Sequence, residues 1–200
     1  MASQKLLGLP PVPPELKSTT TYLQRAEELK VQDPVVAYWC AYYAAQVGIG
    51  LKTKDTQSRD FLFSLLTTLE RLKREIGSND AIDNETVSAA YVENFALRVF
   101  VNVDNEDRKG VATRATAKKF LAAANFLEVL RTFPKTELSD TNEERIRYAK
   151  WKAADIAKAF REGRQPTPGP LGGSPMQTAI DPTEPLIYPP PGSSPQTAQH

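Results

Sequence analysis

The stretch TQSRDFLFSLLTTLERLKREIG, residues 56–77, decides the fold class. At about 100° per residue, Phe61, Leu65, Leu69, Leu72 and Ile76 fall on one stripe, the periodicity of a helix laid on a core, and Gly77 is a natural stop. Arg59, Leu62, Phe63, Leu66, Glu70 and Lys73 form a second stripe on the roughly opposite side. A three-helix bundle needs only one apolar face per helix. The second therefore either packs on a further element or forms a groove, with the helix before it, for an incoming amphipathic helix. Arg59, Glu70 and Lys73 would then pair with ligand charges, or else stand as a solvated rim.

Working outward, the same periodicity predicts helices over about 14–30, 33–51, 84–105, 113–132 and 139–162, and no stretch alternates with period 2. Leu16, Leu23 and Ala26 mark the inner side of the first. Asp33 and Pro34 start the second as cap and first helical residue, and Val36, Trp39, Tyr43 and Val47 form its stripe, widened by Tyr38 and Tyr42. The turn 105–110, NEDRKG, separates the next pair, and Pro134 closes the fifth helix. The last, capped by Ser139, presents Ile146, Ala149, Ala153, Ile156 and Phe160 to the core. Grouped by connectors, the chain is all-α: a flexible extension over 1–13, a three-helix bundle over 14–77, a connector over 78–83 and a second bundle over 84–163. From 164 to 200 it reads as a disordered Pro/Gly-rich linker. Between 165 and 200 there are ten prolines, four glycines and no Lys or Arg, too little apolar content to offset the entropy of ordering.

Composition removes several functions. The 25 Lys+Arg against 24 Asp+Glu leave no basic face for nucleic acid or an anionic bilayer, and no apolar run is long enough to cross a membrane. The chain reads as cytoplasmic. The single histidine, His200, and the single cysteine, Cys40, exclude histidine-dependent catalysis, a disulfide and a thiolate zinc cluster. Cys40 lies mid-helix beside Trp39 with no base to activate it and reads as a small packed hydrophobe. The acids Asp104, Glu106 and Asp107 miss the spacing of a calcium loop and read as capped and solvated, while Gly48-Ile49-Gly50 follows no strand and is no dinucleotide loop. No enzyme and no cofactor is expected.

Trp151 stands about 180° from the core stripe of its helix, among Arg147, Ala154, Asp155 and Lys158. It either packs on the other bundle or anchors a partner, as tryptophans ringed by polar residues do. Solvent exposure of its ring separates an adaptor from an architectural helical scaffold whose off-core residues only hold the bundles together.

DPVVAYWCAYYAAQVGI, YVENFALRVFVNVDNEDR and RYAKWKAADI, followed by a linker containing GPLGG, resemble the Vta-one (LIP-five) family from residue 14 to about 172. That resemblance implies two tandem microtubule-interacting-and-transport (MIT) domains. Their partners would be C-terminal tails of ESCRT-III subunits in multivesicular-body sorting, with peripheral recruitment to endosomes. It also implies a C-terminal domain for the Vps-four AAA ATPase, which does not follow the linker here, so a monomeric fragment is expected. By the same resemblance, Arg59, Leu62, Phe63, Leu66 and Lys73 would contact the ligand in the first domain, and Trp151, Lys152, Asp155 and Lys158 in the second.

Overall fold

The computed structural model describes residues 6–136 and 138–169. Seven α-helices follow one another: α1 (Thr20–Leu29), α2 (Pro34–Gly50), α3 (Thr56–Ile76), α4 (Asp80–Asp83), α5 (Glu85–Arg108), α6 (Arg114–Val129) and α7 (Asp140–Arg161). Among the described residues there is no β-strand. The starts are set by side chains that accept otherwise orphaned backbone N–H groups: Asp33 from Val36, Asp55 from Ser58, Asn84 from Val87, Thr113 from Thr116 and Ser139 from Asn142. In the first bundle α2 packs between α1 and α3, and in the second α6 packs between α5 and α7.

The expected core stripe of α3 is buried from Phe61 to Leu72, with Ile76 half-buried at its end, and Leu16, Leu23 and Ala26 are fully buried. Helix α2 goes further than a stripe, since every residue from Val35 to Ala41 is at most 8 % exposed. A helix apolar on all sides has to be surrounded, and α2 is: α1 and α3 cover two sides, while α5, α6 and the 3-10 turn Leu130–Thr132 cover another. Trp39 is the centre of that second contact. Its indole N–H donates to the Ala81 carbonyl at 2.8 Å and its ring meets Phe133 edge-on at 4.7 Å. Polar pairs surround it: Tyr22 to Glu128 (2.9 Å), Asn125 to Thr21 (2.8 Å) and Thr132 to Gln46 (2.8 Å). The two bundles thus share one compact unit that ends at Gly169.

Three expectations are corrected here. Of the extension expected to be flexible, residues 6–13 are packed and residues 1–5 lie outside the described residues: Leu7, Leu9 and Pro13 are buried, and the Leu7 N–H donates to Glu27 at 2.7 Å. Leu7 and Gly8 lie by Arg71 and Glu75, and Pro10 to Pro13 lie by Thr56 and Asp60, so the segment runs antiparallel to α3 beside the bundle. The turn expected over 105–110 starts late, because α5 continues to Arg108. Its acids are held in place: Arg108 donates to Asp104 at 2.6 Å and Lys152 pairs with Asp107 at 3.0 Å. Asp104 and Asp107 are therefore buried, not solvated, and Glu106 accepts from Thr116 and Lys119 at the start of α6. Finally, residues 164–169, expected in the linker, pack against α5 and α7; the rest of the expected linker, 170–200, lies outside the described residues.

Candidate functional site: two exposed apolar faces

The first face lies along α2 and α3. Leu62 stands only about 60° from the centre of the core stripe of α3 at 100° per residue, and it is half-buried. Its methyl fills the notch left by Gly48 on α2, where any Cβ would sit 2.7 Å from it. Gly48 is what allows the two helices to approach so closely. Beyond this floor the surface is apolar and open: Leu66 is 44 % exposed and Phe63 74 %. Ile49 and Leu51, at the end of α2, are exposed too and escaped the sequence reading, because they follow the predicted stripe at a helix terminus where wheel positions lose meaning. Arg59 is exposed at one end of the stripe. At the other, Lys73 reaches Asp83 of α4 at 3.3 Å across solvent. The Tyr38 phenol beside them is pushed above its ordinary pKa, chiefly by burial and then by Tyr42, Glu70 and Asp83. This face thus has an apolar middle and charged ends.

The second face is on α7. Trp151 is 40 % exposed, between Arg147, Ala154 and Lys158 on the open side and the ring of Tyr148 at 6.0 Å. Asp155 and Lys158 lie on this surface, where Asp155 accepts from Arg164 at 3.4 Å and Lys158 stands 3.9 Å from Glu162. Lys152 does not lie on it. Its side chain is fully buried, its ammonium pairing with Asp107 and donating to the carbonyls of Thr167 and Gly169. A buried ammonium saturated by three acceptors has no donor left for a partner, so Lys152 cannot make the ligand contact expected of it. Tyr148 is the residue the sequence reading missed. Half-buried, it donates to Asp104 at 3.2 Å, and burial together with Asp104 and Asp107 raises its pKa.

Cys40 is fully buried and burial pushes its thiol pKa up, away from the thiolate. Among the described residues no group of three His, Cys, Asp or Glu side chains is placed to hold a metal ion, and no helix is long and apolar enough to cross a membrane. Exposed large apolar side chains beside charged ones are suited to holding another polypeptide by its apolar side.

Comparison with known proteins agrees with this arrangement. A family model described as "Vta1 like" matches residues 18–162. The chain is 41 % identical over 167 residues to the Homo sapiens protein named vacuolar protein sorting-associated protein VTA1 homolog, covering 84 % of this chain and 54 % of that one. It is 44 % identical over 152 residues to the Arabidopsis thaliana protein named homolog of mammalian LYST-interacting protein 5, covering 74 % and 34 %. It therefore spans about half, or less, of the length of these relatives. The crystal structure of the S. cerevisiae Vta1 N-terminal domain superposes with a TM-score of 0.66 at 19 % identity, covering 73 % of this chain and 98 % of that domain, a likeness of fold. With a family match across most of the folded unit and relatives this similar in an animal and a plant, the chain belongs to the Vta1-like family.

Proposed function

We propose that this unit is a non-enzymatic adaptor for vacuolar and endosomal protein sorting, taking C-terminal segments of ESCRT-III subunits on its two apolar faces. The observation that carries the reading is the pair of exposed residues Phe63 and Leu66 on a helix whose core stripe is already buried from Phe61 to Leu72. An amphipathic helix laid along α2 and α3 would bury them with two or three of its own leucines, each worth about 1.5 to 3 kcal/mol before ordering costs. A net of roughly 8 kcal/mol corresponds to micromolar, reversible binding. Two such sites on one compact unit would gain by avidity on a polymer displaying many tails. In a longer protein, a region beyond this chain would connect it to the Vps-four ATPase, and protein contacts would recruit it from the cytoplasm to endosomal membranes.

The alternative is an architectural scaffold without tail-receptor activity. The shared burial of α2 favours it, because some off-core residues do serve to join the bundles. Trp151 and Phe63 speak for the adaptor reading, being 40 % and 74 % exposed. Calorimetric titration with ESCRT-III C-terminal peptides decides between the two, using the wild type and the Leu66→Asp and Trp151→Asp variants. The adaptor reading expects each folded variant to lose one class of peptide and keep the other. Binding of no peptide at 100 micromolar, or unfolding of both variants, would sink it.

A further inference from the structure

Lys152 belongs to the helix that carries Trp151, yet it is spent internally. Its three ammonium donors are matched by three acceptors: Asp107 Oδ2 at 3.0 Å, the Gly169 carbonyl at 3.1 Å and the Thr167 carbonyl. The same Asp107 oxygen accepts the Gly169 N–H at 2.9 Å. One backbone residue, Gly169, is thus gripped through its carbonyl by the cation and through its N–H by the anion. Gly169 has a φ of +73°, a conformation that a side-chain-bearing residue enters only under strain. The rest of the strap is lightly held: Arg164 Nε reaches Glu162 at 2.9 Å, its guanidinium reaches Asp155 at 3.4 Å, and residues 164–169 contain no helix or strand. A buried ion pair therefore fixes a segment that has little packing of its own.

This lock is adjacent to the second apolar face. The Lys152 ammonium lies 5.8 Å from the centre of the Trp151 ring, and Asp107 sits one helical turn beyond Asp104, which accepts from Tyr148. We infer that the strap Arg164–Gly169 is a latch, closed by the Lys152–Asp107 pair, that holds Trp151 in its binding-competent position. The part of this inference that concerns ligand affinity rests on Trp151 being a ligand face; the mechanical part does not. Lys152 is a positioning residue in this scheme. With the latch closed, Trp151 is preorganised and a ligand does not have to order it.

Two variants open the latch from opposite sides. Lys152→Met removes the cation while keeping its aliphatic volume. Gly169→Val leaves both charged side chains in place and makes the backbone turn that reaches them unfavourable. The full chain is digested with trypsin, whose cut after Arg164 reports strap opening, and Trp151 is followed by acrylamide quenching in a Trp39→Phe background. Both variants are expected to be cut after Arg164 at least tenfold faster and to show increased quenching. Gly169→Val should keep the wild-type helical content by circular dichroism. ESCRT-III tail peptides that depend on Trp151 should bind both variants five- to tenfold more weakly, with peptides of the first face unaffected. If Lys152→Met fails to fold, Gly169→Val alone decides. Unchanged cleavage and quenching in Gly169→Val would overturn the latch; faster cleavage with undiminished peptide affinity would overturn its coupling to Trp151. If no peptide depends on Trp151 in the wild type, the ligand-face reading fails and the coupling with it, while cleavage and quenching still decide the latch.

Discussion

Replacing Trp39 by alanine should damage both bundles at once. The ring is only 8 % exposed, packs edge-on against Phe133 and hydrogen-bonds Ala81. Loss of a buried tryptophan costs about 3 to 5 kcal/mol through transfer and cavity terms, and the Ala81 carbonyl loses a partner worth about 1 kcal/mol net. A total of about 4 to 6 kcal/mol is a large share of the roughly 5 to 15 kcal/mol that holds a domain folded. Trp39→Phe keeps most of the apolar area and should cost about 1 to 2 kcal/mol. Because the chain has only two tryptophans, Trp39→Ala leaves Trp151 as the sole indole, a reporter on α7. Urea unfolding followed by circular dichroism reports all helices, and Trp151 emission reports the second bundle. Coincident transitions at lowered urea are expected, since α2 is covered from both sides. A loss below about 1 kcal/mol, or a first bundle that melts while Trp151 emission stays native, would refute the shared-core argument.

Three further outcomes follow from the same structure. Leu65→Ala should cost about 2 to 5 kcal/mol and Phe63→Ala less than about 0.5 kcal/mol in chemical denaturation, since one is fully buried and the other 74 % exposed; similar costs would mean that the two stripes of α3 are misassigned. Cys40, the only cysteine and fully buried, should react with a disulfide reagent only through global opening, and a destabilisation of about 4 kcal/mol by Trp39→Ala should speed the reaction about a thousandfold. Burial raises the pKa values of Tyr22, Tyr38, Tyr91 and Tyr148. The unfolded chain, titrating its tyrosines near pH 10, then binds fewer protons than the folded one above that pH, so stability is full below about pH 10 and falls as pH rises beyond it. Alkaline denaturation midpoints should shift upward in Tyr22→Phe relative to the loss that this variant shows at neutral pH; an unchanged pH slope would refute it.

How far the sequence could be read depends on whether a signal is local. The span of α3 follows from a regular stripe and the Gly77 that ends it, all within one segment. The solvent side of Trp151 was legible because its own helix has a clear core stripe opposite it. The surroundings of α2 were not, because a helix apolar on every side gives no direction to its periodicity. Lys152 shows the other failure. A lysine 80° from a core stripe reads as surface, and the acid and carbonyls that bury it come from the end of α5 and from a strap fifteen to seventeen residues further on. Leu7 and Leu9 were hidden in the same way, since in a short segment running into Pro10 they have no periodicity and acquire meaning only once packed beside the bundle.

The covering of α2 also has a consequence for synthesis. Trp39 leaves the ribosome long before Phe133, the residue that closes over it, so close to a hundred residues must be made before the apolar surface of α2 is complete. During that interval the nascent chain exposes a helix with no polar side, the kind of surface on which chaperones act and aggregation begins. Any shortened chain ending before residue 133 would retain that exposure permanently, so solubility in truncation series should recover only once the turn Leu130–Thr132 and Phe133 are included.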